Sequence, residues 1–153
     1  MRSDRWSGRI TEDQWTVTTC GAYTRWSQEK NGRNTPMTIW LPYDPPNWNE
    51  YINMERTNYH IANNLKQKEK KIVSFYARGK TWEGGYPLTV EFIFHFKDKR
   101  KDVDNSRIKG ILDGLVACGC IKNDNLNCIR RIEIDSAIDE VDGIEINIRE
   151  YNA

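Results

Sequence analysis

Between Leu88 and Phe96 the chain places Leu88, Val90, Phe92, Phe94 and Phe96 in alternation with Thr89, Glu91, Ile93 and His95. A period of two sends the large apolar side chains to one face of a strand, and that face must be covered. Shortly afterwards the period changes. Ile108, Ile111, Leu112, Leu115 and Val116 fall at i, i+3, i+4, i+7 and i+8, the stripe of an amphipathic helix. A strand that needs cover and a helix able to give it, so close together, commit the region to helix-on-sheet packing.

The rest of the chain extends this pattern. Met37 opens a strand-like run, Thr38-Ile39-Trp40-Leu41, and a proline-stiffened turn covers 42–49. From Trp48 to about Arg78 the chain reads as one long helix. Ile52, Leu65, Ile72, Val73 and Tyr76 are among its apolar positions, lysines lie on the other side, and Gly79 ends it. Asp104 or Asn105 is a natural N-cap for the motif helix, which then includes Arg107 and Ile108, and Gly119 terminates it. Residues 128–134 and 143–148 read as two more strands joined by an acidic loop. The order is strand, long helix, strand, helix, two strands. It predicts an α+β fold in which helices cover one face of a mixed sheet.

Residues 1–36 differ. They hold three of the six tryptophans, much Thr, Ser and Gly, and no sustained periodicity, with breaks at Asn31-Gly32 and Pro36. They read either as an N-terminal extension with some β structure or as a stretch upstream of an internal start at Met37. The expected division is an extension over 1–36 and a domain over 37–153.

At 153 residues, 29% charged and 38% hydrophobic, the composition suits one globular domain with or without that extension. No apolar run reaches membrane-spanning length, and Met1 to Trp6 lacks the apolar segment of a secretion signal, so a cytoplasmic protein without membrane contact is expected. Such a setting argues against disulfides among Cys20, Cys118, Cys120 and Cys128, and their spacing with only His60 and His95 available does not suit zinc. Net charge is only +1 but is unevenly placed. Lys66, Lys68, Lys70 and Lys71 form one basic cluster, Lys97 to Lys101 a second, and Arg130-Arg131 a third, while acid gathers at Asp135, Asp139, Glu140 and Asp142. Any one cluster reads equally well as a solvated face; three bracketing an acidic site point to a polyanion.

That acidic site is Asp102 and Asp104, just before the motif helix, with Asp124 just beyond it. Converging carboxylates with open coordination positions suit magnesium, which keeps waters and takes further ligands from substrate phosphate. The ion then polarises a phosphodiester and activates water. Asp124 must be returned to the other two by the fold. Lys109, one turn before Asp113, stands where a cation stabilises charge developing on phosphate. Simpler readings compete: Asp104 as a helix cap, and Lys109 with Asp113 as an i,i+4 pair worth a few tenths of a kcal/mol. A calcium loop starting at Asp102 fails because Arg107 stands where its turn requires glycine.

The run Arg100-Lys101-Asp102-Val103-Asp104-Asn105, then Lys109-Gly110-Ile111-Leu112-Asp113-Gly114-Leu115, Gly119 and Asn123-Asp124, resembles the RusA family of Holliday junction resolvases of bacteria and their phages. Pro45-Pro46-Asn47-Trp48-Asn49 is similar to the family's proline-rich turn ending in asparagine, and 49–56 to the form common in phage members. The resemblance covers about Met37 to Tyr151. It implies a RusA-like homodimer that nicks four-way DNA junctions in pairs, leaving 5′-phosphate and 3′-hydroxyl ends. Magnesium is the implied ion, with manganese as a substitute. Asp102, Asp104 and Asp124 would be the metal-binding carboxylates and Lys109 the catalytic lysine. Asn49, Lys66, Lys68, Lys99, Arg100 and Lys101 are the candidate DNA contacts. Asn123 replaces one acid of the usual pair. Lys109 lies one residue further from Asp104 than in the family pattern, which turns a helix by about 100°. Two other readings stand beside this one: a branched-DNA-binding module that does not cut, and a protein-interaction domain using the tryptophan-rich N-terminus.

Overall fold

A computed structural model describes residues 35–153. The anticipated extension over 1–36 therefore falls almost wholly outside the described residues, as does Cys20. The described chain is α+β. Strands β1 (Met37–Leu41), β2 (Leu88–Phe96), β3 (Ile129–Ile138) and β4 (Gly143–Glu150) form one mixed sheet in the order β1-β4-β2-β3. β4 runs antiparallel to both β1 and β2, and β2 runs parallel to β3. Helix α3 (Lys109–Ala117) lies in the connection between β2 and β3, as a parallel pair requires.

The alternation in β2 has the predicted consequence. Leu88, Val90, Phe92 and Phe94 are essentially inaccessible and share one face with Ile39, Leu41, Ile144, Ile146 and Ile148. Val73 from a helix over Tyr59–Tyr76, Ala77 just after that helix, and Ile111, Leu112 and Leu115 from α3 close over that face. The opposite face is polar but partly covered, with Thr89, His95 and Asn147 buried.

The expected long helix is two. α1 (Trp48–Thr57) stops and α2 (Tyr59–Tyr76) begins at Asn58, whose backbone is extended (φ −158°, ψ 109°). Asn58 donates its N–H to the Met54 carbonyl, and its side chain accepts from the His60 N–H. Asparagine offers the backbone bonds that compete with a continuing helix, and here it closes one helix and opens the next. α1 itself starts with a capping box between Asn47 and Glu50. α3 ends as expected: Gly119, at φ +77°, donates to the Val116 carbonyl and Cys120 to that of Leu115, the paired bonds of a Schellman ending.

β3 and β4 are consecutive in sequence but not neighbours in the sheet, since β2 lies between them. Residues 139–142 cross the end of β2 and are fastened there. Asp139 N–H donates to the Phe96 carbonyl, Lys97 N–H to Asp142 Oδ1 at 2.9 Å, and His95 Nδ1 lies 3.0 Å from Asp139 Oδ2. β3 is left as an edge strand. In register with Val90, Phe92 and Phe96, its Ile132, Ile134 and Ile138 point to the helix-covered face, yet they are 44, 41 and 61% exposed. No helix among the described residues is long and apolar enough to cross a membrane.

Candidate functional site

The connection from β2 to α3 is held by charge pairs along its length. Asp98 accepts from the Arg100 backbone N–H at 3.0 Å and from its guanidinium Nε and Nη2 at 2.9 Å each. The guanidinium holds the Asp98 carboxyl down at about 2. Lys101 pairs with Asp44 and lies 4.9 Å from the centre of the Phe96 ring.

Asp102 and Asp104 follow, Asp102 just before and Asp104 within a separate one-turn 3-10 segment, Val103–Asn105, and both are exposed and make no ion pair among the described residues. Neither Asp104 nor Asn105 caps α3, contrary to expectation. The helix begins at Lys109 with Ile108 as the preceding residue, so Arg107 and Ile108 lie outside it. The cause is Arg107. Its side chain, 3% exposed, turns inward to pair with Glu69 of α2, itself 1% exposed. The guanidinium also lies 4.5 Å from the centre of the Tyr51 ring, and Nε reaches the Pro46 carbonyl at 3.4 Å. Tyr43 donates its hydroxyl to the same Glu69 oxygen at 3.4 Å, and burial, then the Glu69 charge, raise that hydroxyl's pKa. Gly110 faces Glu69 Oε2 so closely that a Cβ there would collide with it. The carboxylate-bearing turn is thus clamped to α2 and to the proline turn through one buried ion pair.

Lys109, the first residue of α3, donates to Asp113 Oδ1 and to Asp124 Oδ2, each at 2.7 Å. The i,i+4 pair with Asp113 is real, and a second carboxylate joins it. Asp124 comes from the loop after α3, which folds back so that its carboxylate meets the Lys109 ammonium where that side chain also reaches Asp113. Within that loop the Asn123 side-chain oxygen accepts from the Asp124 N–H at 2.7 Å. The two carboxylates raise the Lys109 pKa, Asp113 first, and Lys109 lowers that of Asp124. Asp124 therefore contributes stability above its unfolded-state value that is lost only as pH falls through the depressed folded value. The contact persists through neutral pH.

Among the described residues no three carboxylate, imidazole or thiol groups come together as a metal-holding set. The expected convergence of Asp102, Asp104 and Asp124 is therefore not present as such: Lys109 takes the place beside Asp124. The donors themselves, all carboxylate oxygens, have the hardness that magnesium prefers. A shallow cleft of about 160 Å³ lies next to Asp102, bounded by Asp44, Asn47, Phe96, Lys101, Ser106 and Arg107. The Ser106 hydroxyl oxygen is buried there without a hydrogen-bond partner among the described residues.

Of the candidate DNA contacts, Asn49, Lys68 and Lys99 are exposed and make no ion pair among the described residues. Lys66 lies over Tyr51, 5.6 Å from its ring centre, and its pKa is raised chiefly by that side chain. Arg100 and Lys101 carry the carboxylates of Asp98 and Asp44. Sequence reasoning missed Tyr43, Asp44, Glu69 and Arg107. A glutamate in the middle of the lysine-rich run of α2 was the available signal, because it interrupts a solvated basic face. Compared with known proteins, the chain matches no family model and no curated protein.

Proposed function

We propose that this chain is a magnesium-dependent endonuclease that acts on four-way DNA junctions, working as a homodimer that makes paired nicks with 5′-phosphate and 3′-hydroxyl ends. The observation that carries this reading is the contact of Asp124 with Lys109, which brings an acid from beyond α3 onto the side chain of the residue that opens it, while Asp102 and Asp104 in the preceding turn are exposed and without an ion pair among the described residues. Asp102, Asp104 and Asp124 would hold the ion, which when bound supplies Lewis acidity and an activated water. Lys109 would then exchange one of its carboxylates for substrate phosphate and neutralise charge there. The Arg107–Glu69 clamp fixes the carboxylate turn against the core, so the loop need not be ordered at the moment of reaction. Two-fold pairing is supported by the open edge of β3 and its exposed isoleucines, which offer a row of backbone groups and apolar surface to a second copy.

A second reading has its own support. The Lys109–Asp124 contact leaves the three acids ungathered, which suits a junction-binding protein without cleavage. One experiment separates the two. Labelled four-way junctions are incubated with the wild type and Asp104→Asn, with magnesium and without. The nuclease reading expects paired nicks from wild type only with the ion. It expects none from the variant, whose junction binding is retained or tighter because a repelling charge is gone. Binding without nicks in magnesium or manganese establishes the second reading, and nicking by Asp104→Asn overturns the first.

A further inference from the structure

α2 carries four lysines and a single carboxylate, and that carboxylate, Glu69, is turned inward and spent on Arg107. The charged residues on the outward side of the helix are therefore all basic. On it Gln67, Lys70, Lys71, Ser74, Phe75 and Arg78 line an open groove of about 350 Å³. They recur at i, i+3, i+4, i+7, i+8 and i+11, one continuous stripe opposite the buried Ala62, Glu69 and Val73. Lys70, Lys71 and Arg78 make no ion pair among the described residues. Phe75, on one side of the stripe near its C-terminal end, is 60% exposed, and the Arg78 guanidinium lies 5.3 Å from its ring centre. Tyr76 stands edge-on beside it at 5.0 Å.

We propose that this stripe is a binding track for an unpaired DNA strand, with a base stacked on Phe75 and the flanking phosphates held by Lys70, Lys71 and Arg78. Charge selects the polyanion: three cations without an ion pair among the described residues line the groove, with no acid among them. The aromatic selects the unpaired form. Lysines hold the phosphates of duplex and single strand alike, but a duplex keeps its base faces inside its own stack, and only an unstacked base can use Phe75. The other residues lining the groove are polar or basic, which suits a phosphate backbone, and Tyr76 beside Phe75 adds a second aromatic ring for the base. The inference rests on the reading of the chain as a DNA-binding protein, and it adds that the strand held by α2 is unpaired, as strands near a branch point are. The track is separate from the carboxylates and needs no metal.

The test measures binding by fluorescence anisotropy in EDTA, so that nothing depends on cleavage. A labelled oligothymidine and a hairpin duplex of equal charge are titrated with wild type, Phe75→Ala, Phe75→Tyr and Lys70→Glu/Lys71→Glu. Loss of one stacking aromatic lowers single-strand affinity by about 5- to 150-fold. Phe75→Ala is expected to show such a loss on the oligothymidine with less than about a fivefold change on the duplex, and Phe75→Tyr to restore binding. The charge reversal is expected to weaken both and to flatten the salt dependence. Equal losses of Phe75→Ala on the two forms, no loss on either, or no binding by folded wild type overturns the proposal. Absence of nicking in magnesium would remove the nuclease reading and leave this result standing, so the two failures are distinguishable.

Discussion

Arg107 sits three residues after Asp104, and its charge is buried at 3% exposure against a glutamate at 1%. Breaking such a pair leaves an uncompensated ion in the core, at a cost of about 3–5 kcal/mol. Arg107→Met is therefore expected to lower stability in urea unfolding by about that amount. Arg107→Met combined with Glu69→Gln should recover a large part of it, because the stranded charge is gone. A single-variant loss below about 1 kcal/mol would mean that water already solvates the pair. None of this was legible from composition. Arg107 reads as one more base near an acidic motif, and its burial depends on where α2 passes. By contrast, the exposed acids Asp102 and Asp104 were legible as a pair, since a two-residue spacing next to a charged run needs no tertiary knowledge.

At the scale of elements, periodicity was enough wherever one face is buried. β2 and α3 lie where the alternation and the apolar stripe put them, and Gly119 ends α3 because its positive φ is one that residues with a Cβ adopt at a cost. The boundaries were less legible. Asn58 is neutral in a helix by composition, and nothing local distinguishes it from Asn53, Asn63 or Asn64, yet it serves both as the end of α1 and as the N-cap of α2. Asn58→Ala removes the side-chain acceptor for the His60 N–H, a loss of about 1 kcal/mol. Faster amide exchange confined to the first turn of α2 is the expected readout. Exchange that stays unchanged would show that packing, not the cap, fixes the break.

For the whole molecule, the sequence predicted α+β layering but not the strand order. β3 and β4 read as neighbours in the chain, and only the anchoring of residues 139–142 across the end of β2 shows why they are not neighbours in the sheet. The same kind of long-range closure decides the candidate site. The loop from Cys118 folds back along α3, and Asp124 meets Lys109 rather than Asp102 and Asp104. Under the nuclease reading that contact must open for a divalent ion to collect all three acids, so Lys109 and the ion compete for Asp124. An ion that binds only the folded chain raises its stability by about 2.7 kcal/mol at one hundred times its dissociation constant. Manganese should then raise the melting temperature of wild type with the logarithm of its concentration above the dissociation constant. It should raise that of Lys109→Met further, since the rival cation is absent, and that of Asp124→Asn least. Melting curves that respond to manganese identically in all three proteins would separate Asp124 from any metal site and leave Lys109–Asp124 as a plain structural ion pair.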